Sequence, residues 1–172
     1  LNGNMGNVGR TGPPGSPGNN GDKGSKGQKG ELESRFSQSA HIIGVGGAQK
    51  PSYIIGRAFL LRSWTAKHTK GQMTYSNGYL TIGQTGYYYI YCQLFSVDGD
   101  PTSYRFSLYV GNNEVLKAFK SIISSSKRYN TNYIGGVFQI QAGQTVSVRT
   151  QNKNLYFYGS TESYFGAFMI HP

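Results

Sequence analysis

Beyond residue 38 the apolar positions fall in short runs, many alternating with polar residues. They recur at Ala40–Ile43, Ala58–Arg62, Tyr79–Ile82, Tyr87–Phe95, Tyr104–Val110, Val115–Ile123, Tyr133–Ile140, Thr145–Thr150, Leu155–Tyr158 and Tyr164–Ile170. Between them stand Asn77-Gly78, Gly83–Gly86, Asp98–Pro101, Gly111–Asn113 and Ala142-Gly143, residues that accept the backbone angles of tight turns. Short strands with regular punctuation predict an all-β sandwich or jelly roll. No stretch holds a 3.6-residue period with helix caps. Thr145–Thr150 alternates, with Val146 and Val148 on one face and Ser147 and Arg149 on the other. Phe165–Ile170 is almost continuously apolar and suits a strand buried on both sides.

The first thirty residues follow another rule. Every third residue from Gly3 to Gly30 is glycine. Only glycine fits at the axis of a collagen triple helix, so this period predicts a trimeric, extracellular stalk. Pro14, Pro17, Lys23, Lys26 and Lys29 occupy the third triplet position, and at about 3.1 Å per residue the stalk spans roughly 90 Å. With so few prolines it is expected to depend on a trimeric head that holds the chains in register. The organisation read from the sequence is a stalk at 1–30, a polar linker at 31–38 and a head at 39–172. Because Leu1-Asn2-Gly3 reads as the end of a triplet, the repeat is expected to continue upstream, where a signal or membrane anchor would lie.

The tyrosines add a functional hint. There are 14, four of them in Tyr87–Tyr91. On a strand, Tyr89 and Tyr91 share one face while Ile90 and Cys92 share the other. If the second pair faces the core, the first faces outward, where aromatic rings suit a subunit contact. Ordinary core packing is the alternative reading.

The net charge is +10, of which the stalk carries +3 through Arg10, Lys23, Lys26 and Lys29 against Asp22. Such a balance suits an acidic receptor, a sulfated glycan or a membrane surface. A collagen stalk puts the protein outside the cell and argues against nucleic acid. The single cysteine, Cys92, excludes an intrachain disulfide and reads as a small buried hydrophobe; an interchain disulfide or a metal ligand on a trimer axis is the sharper reading. His41, His68 and His171 lack partners at metal-ligand spacing, Asp98 and Asp100 read as turn formers, and no nucleophile motif is present. The chain therefore reads as a non-enzyme without cofactor or metal.

Four segments in order carry a resemblance. Asn77–Gln93, Tyr133–Ile140, Tyr164–Ile170 and Ala40–Gly44 resemble strands of the tumour necrosis factor ligands. A collagen repeat directly before them, with Trp64, Ser121-Ile122 and Tyr129–Thr131, looks like the ectodysplasin-like branch. The resemblance implies a ten-stranded jelly roll in a homotrimer, with Tyr89, Tyr91, Tyr133 and Tyr164 lining the threefold axis. It implies an extracellular cytokine, secreted or shed from a type II membrane protein, that clusters cysteine-rich receptor ectodomains. Receptor contacts would come from loops near Gly46–Tyr53, Ser96–Ser103, Gly111–Glu114, Ser124–Arg128 and Asn152–Ser163. The candidates there are Asp98, Asp100, Asn112, Asn113, Lys127 and Arg128. Arg62, Lys67 and Lys70 form a candidate basic patch for an acidic receptor or heparan sulfate. A cysteine pair found in ectodysplasin-type ligands is absent: Ala118 and Asn132 stand at the matching positions. The alternatives are a C1q-like collagenous recognition or adhesive protein and a matrix collagen with a trimerising head.

Overall fold

A computed structural model describes residues 3–27, 37–98, 104–120, 129–153 and 155–172. The chain divides into two units, Leu1–Gly30 and Glu31–Pro172. In the first, the described residues are extended and exposed. No described glycine there has a positive φ, and a Cβ added at any glycine from Gly3 to Gly27 would meet nothing. Neither backbone angle nor crowding within the chain explains the period of three.

The second unit is a sandwich of two antiparallel sheets. Its strands are β1 (Ser39–Gln49), β2 (Tyr53–Ile55), β3 (Ala58–Leu60), β4 (Trp64–Lys70), β5 (Thr74–Ser76), β6 (Tyr79–Thr81), β7 (Gly86–Asp98), β8 (Tyr104–Val110), β9 (Asn113–Lys120), β10 (Tyr129–Ile140), β11 (Thr145–Thr150) and β12 (Leu155–His171). One sheet runs β10-β7-β12-β1-β4. The other runs β2-β3-β11-β6-β5, and its β11 also pairs with β8, which carries β9 at the edge. Between the sheets lie Ile42, Leu80, Ile82, Tyr88, Ile90, Cys92, Leu94, Phe106, Leu108, Val146, Val148 and Phe165, all fully buried. Trp64 stacks on Phe157 at 5.1 Å and donates its indole N–H to the Leu61 carbonyl at 2.8 Å. Gln38, at the expected end of the linker, is buried and tied in: its Oε1 accepts the Gln72 N–H at 2.8 Å.

Asn77-Gly78 closes the β5–β6 hairpin with φ of 50° and 91°, the left-handed pair that matches strand twist. Gly111 and Gly143 turn the chain with φ of 58° and 87°. At that end of the sandwich the Gly111 N–H reaches the Thr145 carbonyl at 2.8 Å, and the Gly143 N–H reaches that of Ile82 at 2.8 Å.

Several expectations need correction. Leu155–Tyr158 and Tyr164–Ile170 are one strand, β12, so the loop expected at Asn152–Ser163 is largely strand. The deception lies in its glycine and polar residues. Gly159 backs against β1, where its Cβ would meet the carbonyl carbon of Val45 at 2.5 Å, and the register against β7 shifts between Phe157 and Tyr164. Likewise Gly46–Gln49, Ser96–Asp98 and Asn113-Glu114 belong to β1, β7 and β9 rather than to loops. The segment Ser124–Arg128 lies outside the described residues. Strands β2, β4 and β5 were not legible: two have three residues, and β4 exposes everything after Trp64, as an edge strand can.

The alternation over Thr145–Thr150 holds with both of its faces buried, whereas a second strand is less buried than expected. Ser147 and Arg149 are buried like the valines they alternate with. The Arg149 guanidinium lies over the Tyr109 ring at 4.2 Å and donates to the Gly111 carbonyl at 2.9 Å and to the Ser147 hydroxyl at 3.2 Å. Conversely, the apolar run Phe165–Ile170 is not buried on both sides: Phe168 and Ile170 are 45% and 49% exposed.

A candidate interface on the five-stranded sheet

The outer face of the five-stranded sheet is built by register. Strand β7 lies between β10 and β12. Tyr89 stands opposite Val137 and Phe168, Tyr91 opposite Gly135 and Gly166, and Gln93 opposite Tyr133 and Tyr164. The inward residues between them, Tyr88, Ile90 and Cys92, are fully buried. The alternation thus turns Tyr89, Tyr91, Tyr133 and Tyr164 to one side, together.

Two glycines let the rings lie down. A Cβ on Gly166 would meet the Tyr91 hydroxyl at 2.5 Å, and one on Gly135 would meet the Tyr89 hydroxyl at 2.5 Å. Each tyrosine therefore lies across a neighbouring strand where that strand has no side chain. The hydroxyls of Tyr89 and Tyr133 are 3.2 Å apart. Tyr164 donates to Gln93 Oε1 at 3.1 Å, and Gln93 donates to the Glu162 carbonyl at 3.0 Å. His41 of β1 completes the floor: its Nδ1 is 2.8 Å from the Tyr91 hydroxyl and its ring centre 5.2 Å from that of Tyr164. Burial raises the pKa of Tyr91, aided by Tyr164; burial and the Tyr89 hydrogen bond push that of Tyr133 well up. Burial, then the nearby His68, lowers that of His41.

The face is apolar and open. Tyr133 and Val137 are 51% and 53% exposed, comparable with Phe168 and Ile170. Across Tyr87–Gln93, Tyr133–Gln139 and Tyr164–Ile170 there is no Asp, Glu, Lys or Arg. In a chain with 24 such residues, three adjacent strand segments without one have the composition of an interface centre, and contiguous exposed apolar surface marks an interaction site.

Cys92 is buried between the sheets, and desolvation pushes its thiol pKa well up. It fits the small-hydrophobe reading and offers nothing to this face. Among the described residues no group of three or more His, Cys, Asp and Glu could hold a metal.

Those of the other candidates that are described do not converge. Asn112, in the β8–β9 turn, and Asn113, the first residue of β9, are exposed beside the start of β11. Asp98 ends β7, the strand that starts at that same end of the sandwich, and pairs with Leu155 roughly 40 Å away along it. Asp100, Lys127 and Arg128 lie outside the described residues. Arg62 lies over the Tyr53 ring at 4.6 Å. Lys67 and Lys70 are exposed on β4, Lys70 roughly 20 Å of strand beyond Trp64, so the three cations are strung along an edge.

Sequence reasoning missed Val137, Phe168, Ile170, His41 and the two glycines. The signal was present: a charge-free stretch on three strands, with glycines that only the register places opposite tyrosines.

The fold agrees with what the chain is similar to. The model of the TNF (Tumour Necrosis Factor) family matches residues 62–170, more than half of the chain. The chain belongs to the tumour necrosis factor family. The human tumor necrosis factor ligand superfamily member 11 is 27% identical over 132 residues, 64% of this chain and 41% of that protein. Its rat counterpart is 29% identical over the same shares. The chain thus spans 41% of the length of these relatives. Among solved structures, Eiger TNF from S. frugiperda superimposes with a TM-score of 0.69 at 18% identity, covering 79% of this chain and 94% of that one. Murine APRIL gives 0.59 at 18% identity, covering 76% and 97%. At such identity these two likenesses establish the jelly-roll fold alone. Tumour necrosis factor ligands are non-enzymatic, and this chain is no enzyme.

Proposed function

We propose that three copies of this chain assemble through the aromatic face of the five-stranded sheet and act as an extracellular cytokine. Residues 1–30 wind as its collagen stalk, in an ectodysplasin-like build, and the head binds and clusters cysteine-rich receptor ectodomains of the TNF-receptor family. The observation that carries the reading is the charge-free, half-exposed surface around Tyr89, Tyr91, Tyr133 and Tyr164. The glycine period supports it: nothing within one chain demands glycine at Gly3 to Gly27, whereas packing of three chains about one axis does. The partner is a second copy because a threefold, heterologous contact closes a ring and satisfies head and stalk with one symmetry. Trimeric display multiplies weak receptor contacts through avidity.

Asp98, Asp100, Asn112, Asn113, Lys127 and Arg128 are the proposed receptor contacts. Arg62, Lys67 and Lys70 would steer an acidic receptor or bind heparan sulfate as an extended edge. The chain would act as a secreted or shed ectodomain of a type II membrane protein.

The test is the double variant Tyr91→Ala, Tyr133→Ala. Light scattering is expected to show trimers for the unmodified chain and single chains for the variant, with receptor-ectodomain binding weakened by about 100-fold or more as avidity is lost. A stable trimer from the variant removes the assigned face. A wild-type trimer that binds sulfated glycans but no cysteine-rich ectodomain removes the cytokine reading.

A further inference from the structure

We propose that His41 makes the trimer acid-labile: protonation of this one side chain at the margin of the aromatic face loosens the contact between copies. The inference rests on the assembly reading above and adds a control to it. Strand register puts His41 opposite Gly166 of β12 on one side and His68 of β4 on the other. Its ring is held between Tyr91, stacked at 5.9 Å, and Tyr164 at 5.2 Å. Its Nδ1 is tied to the Tyr91 hydroxyl at 2.8 Å. The histidine is therefore part of the same floor as the assembly tyrosines.

Among the described residues no compensating charge faces it. On β7 the facing titratable group is the Tyr91 phenol, and on β12 it is Tyr164. On β4 it is a second imidazole, His68, whose Nε2 is held 2.9 Å from the Ser39 hydroxyl. The remaining cations of β4, Lys67 and Lys70, are exposed and of the same sign as a protonated histidine. Strand β1 itself carries no Asp, Glu, Lys or Arg. Glu162, two residues before Tyr164, is exposed, and the bond it makes to this face comes from its backbone carbonyl to Gln93. A proton on His41 thus creates a half-buried cation beside an imidazole and two phenols, and covering the face with a neighbour would bury it further.

The sign follows. Burial and His68 already hold the His41 pKa below that of a free histidine. The unfolded chain binds the proton more readily than the folded copy, so folding stability is complete above about pH 6.5 and is lost as pH falls below it; a neighbour that buries the ring further disfavours the proton again, so the contact between copies loosens as pH falls through the lowered range of the separated copy. Three copies release the contact together, so the dissociation constant can rise by up to about three decades per pH unit.

Sedimentation velocity of the full 172-residue chain between about pH 7.5 and pH 5 tests this. The wild type is expected to be trimeric at the upper end, to dissociate on acidification and to reassemble on return. His41→Phe keeps a ring without a titrating nitrogen and is expected to remain trimeric throughout. His41→Gln serves if that variant fails to fold, and His68→Asn is expected to keep most of the pH response. A wild type that stays trimeric at about pH 5, or a folded His41 variant that dissociates at the same pH as the wild type, overturns the proposal. Absence of a trimer at neutral pH would instead strike the assembly reading beneath it.

Discussion

The two outer faces of the sandwich handle exposure in opposite ways. On the middle of the seven-stranded sheet polar side chains close on one another, and its exposed apolar residues, Ile54 and Phe119, stand apart on the edge strands β2 and β9. Arg149 lies on Tyr109 and binds Ser147 and Gly111, while Ser107 donates to Glu114 at 2.6 Å and Glu114 pairs with Lys117 at 2.7 Å. On the five-stranded sheet, aromatic side chains hydrogen-bond at their tips but leave rings and aliphatic groups half in water. A satisfied polar face needs no partner. An apolar face of tyrosine, phenylalanine and isoleucine gains by acquiring one, because each Å² removed from water contributes about 25 cal/mol.

The largest effect should come from the open face. Tyr91→Ala with Tyr133→Ala removes aromatic anchors worth about 2–4 kcal/mol each at an interface centre. If residues 1–30 wind as the proposed stalk and depend on the head for register, their triple-helical circular-dichroism signal should vanish with the trimer. A stalk that melts unchanged would separate the two assemblies.

Next is the floor beneath the rings. Gly166→Ala places a methyl group against the Ala40 carbonyl and the Tyr91 hydroxyl. It should destabilise the head by about 1–3 kcal/mol and lift the ring out of plane. Denaturant unfolding reads the first effect and sedimentation the second.

The closed face should respond differently. Arg149→Met leaves the Gly111 carbonyl without its guanidinium donor, and unfolding should cost about 1–3 kcal/mol less. The trimer mass should stay the same; a loss of trimer would erase the contrast between the faces.

In the core, Tyr88 donates to the Gln84 carbonyl at 2.7 Å, and burial pushes its pKa up to about 12. The unfolded chain ionises this phenol near pH 10 and the folded one resists, so stability is full below pH 10 and declines as pH rises from 10 toward 12. Tyr88→Phe should flatten that decline in thermal melts. The smallest effect belongs to Lys117→Ala, which breaks a surface pair worth about 0.5 kcal/mol and should leave assembly untouched.

The sequence showed strands wherever alternation or turn chemistry was local. Tyr104–Val110 and Thr145–Thr150 match β8 and β11 end to end, and Asn77-Gly78 announces its hairpin. It failed where register decides. Gly159 reads as a loop residue until β1 is laid beside it, and β4 lacks an apolar face because it is an edge. The orientation of Tyr89 and Tyr91 was readable from Ile90 and Cys92. The roles of His41, Gly135 and Gly166 were not, because each depends on a side chain from another strand.

The most direct test of the account is the light-scattering mass of the unmodified chain at neutral pH over a series of dilutions. Three chain masses, persisting on dilution, are what a charge-free aromatic face closed by neighbouring copies predicts. A single-chain mass at every concentration, with Tyr133 and Phe168 as open to solvent as in one copy, would contradict it.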